Sequence, residues 1–395
     1  MTLSVRLLGD DDAEAARQLG FEAFGVPPTP PTEPATVRQP GRVSFGAFDG
    51  DRLVAKMVDR AYDSYYGGAV LSTSGIAGVT VAAEYRGRGA LADLFAATLG
   101  SARNRGAVIS TLFPTAPRIY RRFGYEVVAD FVTVQVPTHV LAAVGHSGPL
   151  HCRRATEADV EAVRGVYDVW ASEQNGPLTR HGVSFPGGAQ DYLEEFTGVT
   201  VAVDDADAVH GYASWQRGQG YGPEAKLEIT DLLAVDADGY RVLLSAMGSF
   251  SSVTPHVTID TSGDDIARMF LPSLHWQVTD SSPYMLKILD VVGALTLRHY
   301  PPGFSDELVF QVTGDVLEEN NGGYLLDVSN GRGSCVRAER GGRVFTAHGL
   351  ALMFAGAQSS ANLRIAGHVS GGEPEEDATW DAHFGGRQAH IRDYF

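Results

Sequence analysis

The sequence is poor in cysteine: Cys152 and Cys335 are the only two among 395 residues. Two thiols cannot build a disulfide framework or a cysteine-based zinc site, and both are expected to be buried and free. Positive charge is also short. The 31 Lys and Arg residues stand against 48 Asp and Glu, a formal charge of -17, which argues against a partner made of nucleic acid or anionic membrane. No apolar run reaches the roughly 18 residues of a transmembrane helix. The N-terminal segment lacks the basic start and apolar stretch of a signal peptide, so a cytoplasmic protein is expected. The twelve histidines are scattered and form no H-E-x-x-H. There is no G-x-S-x-G elbow and no EF-hand loop, so no metal is expected.

What remains is a globular composition, 44% hydrophobic and 20% charged. At roughly 150 residues per domain the length suggests two or three domains. The charge is unevenly spread. Residues 1–148 hold 14 acidic and 14 basic side chains, which leaves 34 acidic and 17 basic for 149–395. The acidic two thirds are either a solubility surface or an attractor for a cationic, polyamine-like substrate.

Residues 5–24 read as a short strand, an acidic cap cluster and a helix, and the pattern recurs after a shift of 147. Arg6, Asp12, Glu14, Ala15 and Arg17 match Arg153, Asp159, Glu161, Ala162 and Arg164. Two related domains in tandem follow from this. Residues 26–41 are Pro- and Thr-rich and make a loop. Residues 43–60 and 66–82 read as successive strands, the second with Gly75 and Gly78 inside it, which suggests a bulge or a close backbone approach. A helix over 89–104 is expected from apolar residues at helical spacing, ended by Gly106. Then come a buried strand over 107–113, a short helix over 115–124, a strand over 126–136 and a linker over 139–152. A strand and helix recur within 227–250. The last part reads as a strand and helix, short strands separated by Gly and Asn turns, a helical 349–367 and a solvated acidic loop at 373–377.

The most informative segment is GVTVAAEYRGRGALADLFAATL, residues 78–99. A strand ends, a turn carries Arg86, Gly87, Arg88 and Gly89, and a long amphipathic helix starts at once. Unpaired N–H groups and the positive end of the dipole at a helix N-terminus suit phosphate. Glycines allow close approach, and arginines add charge. The turn is neither a G-x-G-x-x-G nor a Walker A loop.

R-G-R-G after a strand ending VTV, a strand about twenty residues on, then IYRRFGYE, resembles the GCN5-related N-acetyltransferases (GNAT). More closely, VTVAAEYRGRGAL, PRIYRRFGYE, the length near 400 and the second, degenerate unit resemble the enhanced intracellular survival (Eis) family of aminoglycoside acetyltransferases. The motif match covers roughly residues 60–125. The resemblance implies an α/β (α+β) fold with two tandem GNAT-like domains and a sterol-carrier-like α+β domain. These would be a catalytic domain over 1–140, a degenerate one over 150–282 and a sterol-carrier-protein-like one over 283–395. It implies acetyl-CoA as co-substrate, a small-molecule amine as acceptor and, by analogy, a homo-oligomer, a hexamer.

Carried onto this sequence, the resemblance puts the thioester carbonyl against the backbone of Val79, Thr80 and Val81. The cofactor clamp falls on Arg86, Gly87, Arg88, Gly89, Ala90, Leu91 and Ala92, with Thr115 and Ala116. Leu91 stands where the wider superfamily has Gly or Ala, as it does in the Eis family. Tyr120 matches the tyrosine general acid; a phenol suits protonation of a departing thiolate. Tyr125 is the rival, read as packing. The α-carboxylate of Phe395 takes the role of base, with Asp393 as the fallback carboxylate. Phe21, Glu22, Phe24 and the proline loop map to the amine pocket, but the family's acidic residue after the first helix is replaced by Gly25 and Val26. Around Gly239, Tyr240 and Arg241 the second unit lacks the phosphate turn. Acetylation of protein lysines and a non-catalytic acyl-CoA or lipid carrier are the alternative readings.

Overall fold

The computed structural model describes residues 3–29, 34–339 and 341–395; part of the proline loop, residues 30–33, therefore lies outside the described residues. The first unit contains β1 (Ser4–Leu7), α1 (Ala13–Phe24), β2 (Arg42–Asp49), β3 (Arg52–Tyr66), β4 (Ala69–Val81), α2 (Ala90–Asn104), β5 (Ile109–Leu112), α3 (Pro117–Arg121) and β6 (Glu126–Pro137). The stretch read as one strand over 43–60 is two. Gly50, at φ +59°, lets the chain reverse between Asp49 and Arg52, a backbone conformation that favours glycine. Helix α4 (Thr138–Ala142) occupies the start of the expected linker, with Val140 and Leu141 buried against the second unit.

The second unit contains β7 (His151–Arg154), α5 (Val160–Ser172), α6 (Ala189–Glu194), β8 (Gly198–Val203), β9 (Val209–Arg217), β10 (Lys226–Ala234), α7 (Ala237–Gly248), β11 (His256–Thr261) and β12 (Gln277–Ile288). The repeat seen in the sequence has a physical counterpart. Asp12 takes both terminal nitrogens of Arg6 at 2.7 and 2.8 Å, and Asp159 takes those of Arg153 at 2.8 Å each. Each carboxylate also accepts a backbone N–H three residues back, from Gly9 and Thr156. The same ion pair thus fixes how strand enters helix in both units.

The strands of both units form one sheet in the order β1-β2-β3-β4-β5-β12-β6-β11-β10-β9-β8-β7. Strand β12, the last of the second unit, inserts between β5 and β6 of the first, and β6 pairs in turn with β11. A boundary after residue 282 cuts through β12, which completes the first unit's sheet at its far end. Sequence periodicity carries no record of this exchange, because a strand buried on both sides reads alike in either unit.

The third unit opens with α8 (Val291–Leu297) and builds a five-stranded sheet, β15-β14-β13-β16-β17, from β13 (Asp306–Thr313), β14 (Gly322–Ser329), β15 (Arg332–Ala338), β16 (Arg343–Thr346) and β17 (Val369–Gly371). The helical stretch over 349–367 is two helices, α9 (Ala347–Ala355) and α10 (Ser360–Ile365), separated by Gly356 at φ +70°. The acidic 373–377 segment is not merely solvated. Asp377 starts α11 (Asp377–Phe384) and pairs with both Arg343 and Arg364. Stacked and edge-on rings of Phe310, Tyr324, Phe345, Trp380 and Phe384 fill the unit's interior.

The last residues leave this unit and cross to the other two. Ala389 bridges to Asn175, and the Asn175 N–H donates to the Gln388 carbonyl at 3.0 Å while its own carbonyl accepts from His390 at 2.8 Å. The buried Asn175 side chain accepts from Gly67 and donates to Ala355, so one residue ties all three units to the tail. Burial pushes the free thiols of Cys152 and Cys335 up to about 11 and about 12, which makes them poor nucleophiles at neutral pH. No helix among the described residues is long and apolar enough to cross a membrane.

Candidate active site

Strand β4 is where the first unit departs from regular pairing. Against β3, Lys56 faces Thr80 and Val58 faces Ala77, so Gly78 and Val79 together oppose Met57. This is a bulge, and Gly78 supplies its φ of +56°. On its other edge β4 pairs with β5 only from Thr73–Ile109 to Ile76–Leu112. Beyond that point β5 has ended and β4 runs on alone to Val81. The strands part into a wedge, and Val79, Thr80 and Val81 line its β4 side with backbone that has no β5 partner.

The wedge opens toward the N-terminus of α2. Gly87 and Gly89 have φ of +75° and +84°, and a Cβ built on either would meet nothing within 4 Å. The N–H groups of Gly87, Gly89, Ala90 and Leu91 take no hydrogen-bond partner among the described residues. The Ala92 N–H does not join them, because it donates to the Gly89 carbonyl at 3.0 Å. Arg86 and Arg88 are exposed beside this cradle. Open space, orphan donors and the positive end of a 15-residue helix fit a pyrophosphate. A side chain at residue 89 should oppose this on two counts. Gly89→Val would cost about 1–2 kcal/mol in the left-handed region and place methyls in the cradle. Acetyl-CoA titrated calorimetrically should bind this variant at least tenfold more weakly, with the fold intact by circular dichroism. In the second unit the corresponding helix, α7, is capped instead. The Asp236 carboxylate accepts the Gly239 N–H at 2.7 Å, and Tyr240 is buried. A carboxylate already sits where a phosphate would.

The two faces of the sheet at the wedge carry different groups. On one face Tyr120, nearly fully buried, belongs to the apolar cluster containing Ile76 and Leu112, the last paired residues of β4 and β5. Its ring meets Phe95 of α2 edge-on at 6.1 Å. Burial raises its pKa, against a smaller lowering by a hydrogen bond with Thr115, so the phenol is protonated throughout the neutral range. Thr115 is exposed and Ala116 half-buried at the start of α3. Tyr125 is fully buried with its hydroxyl 2.6 Å from that of Ser110, as packing requires.

On the other face lies Phe395. Its ring packs on Tyr62 at 5.0 Å and Phe113 at 5.5 Å, and it fills the space left by Gly75, where a Cβ would come within 3.0 Å of it. Gly75 is thus a close-approach glycine and Gly78 the bulge glycine. Phe395 also lines a cleft of about 490 Å³ between the first and second units. Arg60, Tyr62 and Phe131 form one wall of the cleft, and residues from Val163 to Asp260 form the other. The tail enters under a buried ionic network. Arg180 bonds Asp231 at 2.5 Å and Asp393 at 2.8 Å, and lies over the Tyr167 ring. Arg392 bonds Asp265 at 2.5 Å. Burial raises the pKa of Asp393 more than Arg180 lowers it.

Glu22 and Phe24 are not brought into this cleft. The Glu22 carboxylate accepts the Ala83 N–H at 2.9 Å and so fixes the turn before the cradle, while Phe24 is 60% exposed at the end of α1. The residues missed from sequence are Tyr62, Phe113 and Tyr284 around the tail, and Arg180, Asp231 and Tyr167 beneath it. They are drawn in by contacts between residues far apart in the chain, 51 for Arg180 with Asp231 and 213 for Arg180 with Asp393, for which a single sequence carries no signal.

Comparison with known proteins identifies the domain families of the chain. Residues 4–128 match an acetyltransferase (GNAT) domain family, residues 176–288 a second family of that description, and residues 291–392 a sterol carrier protein domain. A Streptomyces griseus protein described as an uncharacterized N-acetyltransferase is 27% identical over a 421-residue alignment that covers 100% of both chains. The crystal structure of a GCN5-related N-acetyltransferase from Anabaena variabilis has a TM-score of 0.88 at 20% identity, and that of Eis1 from Mycobacterium abscessus 0.79 at 20% identity, each covering 100% of both chains. The likeness to the solved structures is one of fold. The chain combines two GNAT-type domains with a sterol-carrier-type domain and is, by class, an N-acetyltransferase that uses acetyl-CoA.

Proposed function

We propose that this N-acetyltransferase passes acetyl from acetyl-CoA directly to an amine of a small, amine-rich, aminoglycoside-like molecule held in the cleft, as the Eis-like reading implies. The observation that carries the proposal is the disposition of groups about the wedge: Tyr120 on one face, Phe395 and the cleft on the other. An amine arriving from the cleft meets the main-chain carboxylate of Phe395, which takes its proton. The unpaired β4 backbone past the bulge, at Val79–Val81, donates to the thioester oxygen as negative charge develops on it. Tyr120, on the far face, gives its proton to the departing thiolate. Acid and base thereby reach the reacting groups from different faces of the sheet, one for the departing thiolate and one for the incoming amine.

The second-domain wall supports a cationic acceptor. Asp168, Asp191, Glu195, Asp231, Asp260 and Asp393 line the cleft against Arg60, Arg164, Arg180 and Arg392. Burial raises the pKa of Asp260, whose carboxylate accepts a hydrogen bond from Thr133 at 2.8 Å. Such a wall concentrates ammonium groups. The test is thiol release from acetyl-CoA against aminoglycosides, polyamines, aminoacyl compounds and a lysine-rich peptide, with product mass measured. Acetylation of a small amine is the expected result. Turnover on the peptide alone would overturn the acceptor class, and tight acetyl-CoA binding without any transfer would favour a carrier.

A further inference from the structure

Arg60, on the first-domain wall of the cleft, stands in a cluster of positive charge that continues past the cleft edge to Arg42 and Lys56. Lys56, Arg60 and Tyr62 alternate along β3 and so share one face, the face that carries Phe395. Arg42 stands directly opposite Arg60 on β2. Like charges facing each other across a strand pair are destabilising. Yet none of the three makes an ion pair among the described residues, in a chain with 48 carboxylate side chains. Arg42 gives one hydrogen bond to Gln39 and Arg60 one to the Tyr62 hydroxyl. The Nε atoms of both are buried without a partner. Lys56 is half-buried beside Gly20 of α1, and burial, then the Arg42 charge, lowers its pKa. Asp393, whose charge Tyr62 feels, is committed to Arg180. Where the wall needs a counter-charge, the described residues provide none.

We propose that the acceptor carries an oxyanion, a carboxylate or a phosphate, besides its reacting amine, and that Arg42 and Arg60, with Lys56, bind it. The proposal rests on the cleft being the acceptor site, as argued above. Two adjacent guanidinium groups, each with one hydrogen bond made and N–H groups to spare, match the geometry of an oxyanion. The acceptor would then be bipolar: its ammonium groups face the acidic second-domain wall, and its anion faces β2 and β3. The anion fixes which amine reaches the wedge.

Two measurements test this. In the first, inorganic phosphate is titrated calorimetrically into the wild type and into the Arg42→Met/Arg60→Met double variant, which keeps most of the aliphatic volume. Millimolar binding to the wild type, reduced at least tenfold in the variant, is expected. In the second, kcat/KM is compared for matched pairs: glucosamine 6-phosphate with glucosamine, and an amino acid with its amide. The wild type should prefer the anionic member at least tenfold, and the double variant should lose that preference. The phosphate pair and the carboxylate pair tell the two oxyanions apart. Equal phosphate binding by both proteins, or none by either, would overturn the site. Binding that depends on the arginines with no preference in either pair would overturn its assignment to the acceptor. If no amine of any kind is acetylated while phosphate still binds through the arginines, it is the acceptor reading of the cleft that fails, not the anion site.

Discussion

Tyr120→Phe should lower kcat by roughly two orders of magnitude or more, the usual worth of a positioned general acid, while acetyl-CoA affinity changes little. The substitution removes one oxygen and keeps the ring that packs on Phe95 and sits 6.5 Å from Tyr125, so stability should change by less than about 1.5 kcal/mol. The split matters: a merely structural tyrosine would lower affinity and stability together and leave the chemical step alone. Stopped-flow thiol release with saturating acceptor isolates that step. Because burial raises the phenol's pKa, its deprotonation should not limit activity below about pH 10. A wild-type rate that falls with a midpoint well below this would point to a different acid. Tyr125, already bonded to Ser110 at 2.6 Å and fully buried, should tolerate the same change with turnover largely intact.

Arg180→Met should destabilise the protein by about 3–5 kcal/mol, the range for breaking one side of a buried ion pair. Asp231 is almost wholly enclosed, and Arg180 is its close partner; Arg392 lies 3.9 Å away. Burial alone would push the Asp231 pKa up, but the charge and hydrogen bond of Arg180, joined by the charge of Arg392 and the Tyr212 hydroxyl, outweigh it and the net shift is downward. A carboxylate with a depressed folded-state pKa adds stability above its unfolded pKa, near 4, and loses it as pH falls through the folded value. In the variant the largest source of that depression is gone. The stability gap to the wild type should therefore be widest at neutral pH and should narrow below about pH 4, where the variant's Asp231 can protonate. Urea unfolding at several pH values measures it. The same substitution frees Asp393, so carboxypeptidase should trim the tail faster than in the wild type.

These two residues mark what a single sequence can reveal. Tyr120 was legible because it sits within PRIYRRFGYE, a local segment whose neighbours carry the resemblance. The cradle was legible for the same reason: a glycine-bearing turn between strand and helix is a contiguous device. Arg180 was not. It lies in an irregular stretch after α5, has a positive φ of 56°, and reaches carboxylates 51 and 213 residues away. The tandem units were legible because each repeats the Arg–Asp pair at its strand-to-helix entry. The exchange of β6 and β12 between them was not, since pairing partners leave no periodicity. Glu22 lies outside the cleft for a related reason. Its place in the last turn of the first helix fits an acceptor pocket, but its carboxylate accepts the Ala83 N–H.

The account turns on the carboxylate of Phe395 lying where an incoming amine gives up its proton. The most direct measurement appends a few residues, such as Gly-Ser-Gly, after Phe395 and follows acetyl transfer under single-turnover conditions, with acetyl-CoA binding measured in parallel. The ring contacts with Tyr62 and Phe113 can persist in the extended chain, but the carboxylate is converted to an amide that cannot accept the proton. Transfer slowed at least tenfold, with acetyl-CoA bound as before, is the predicted result. Transfer at the wild-type rate would contradict the account and move the base to another group in the cleft.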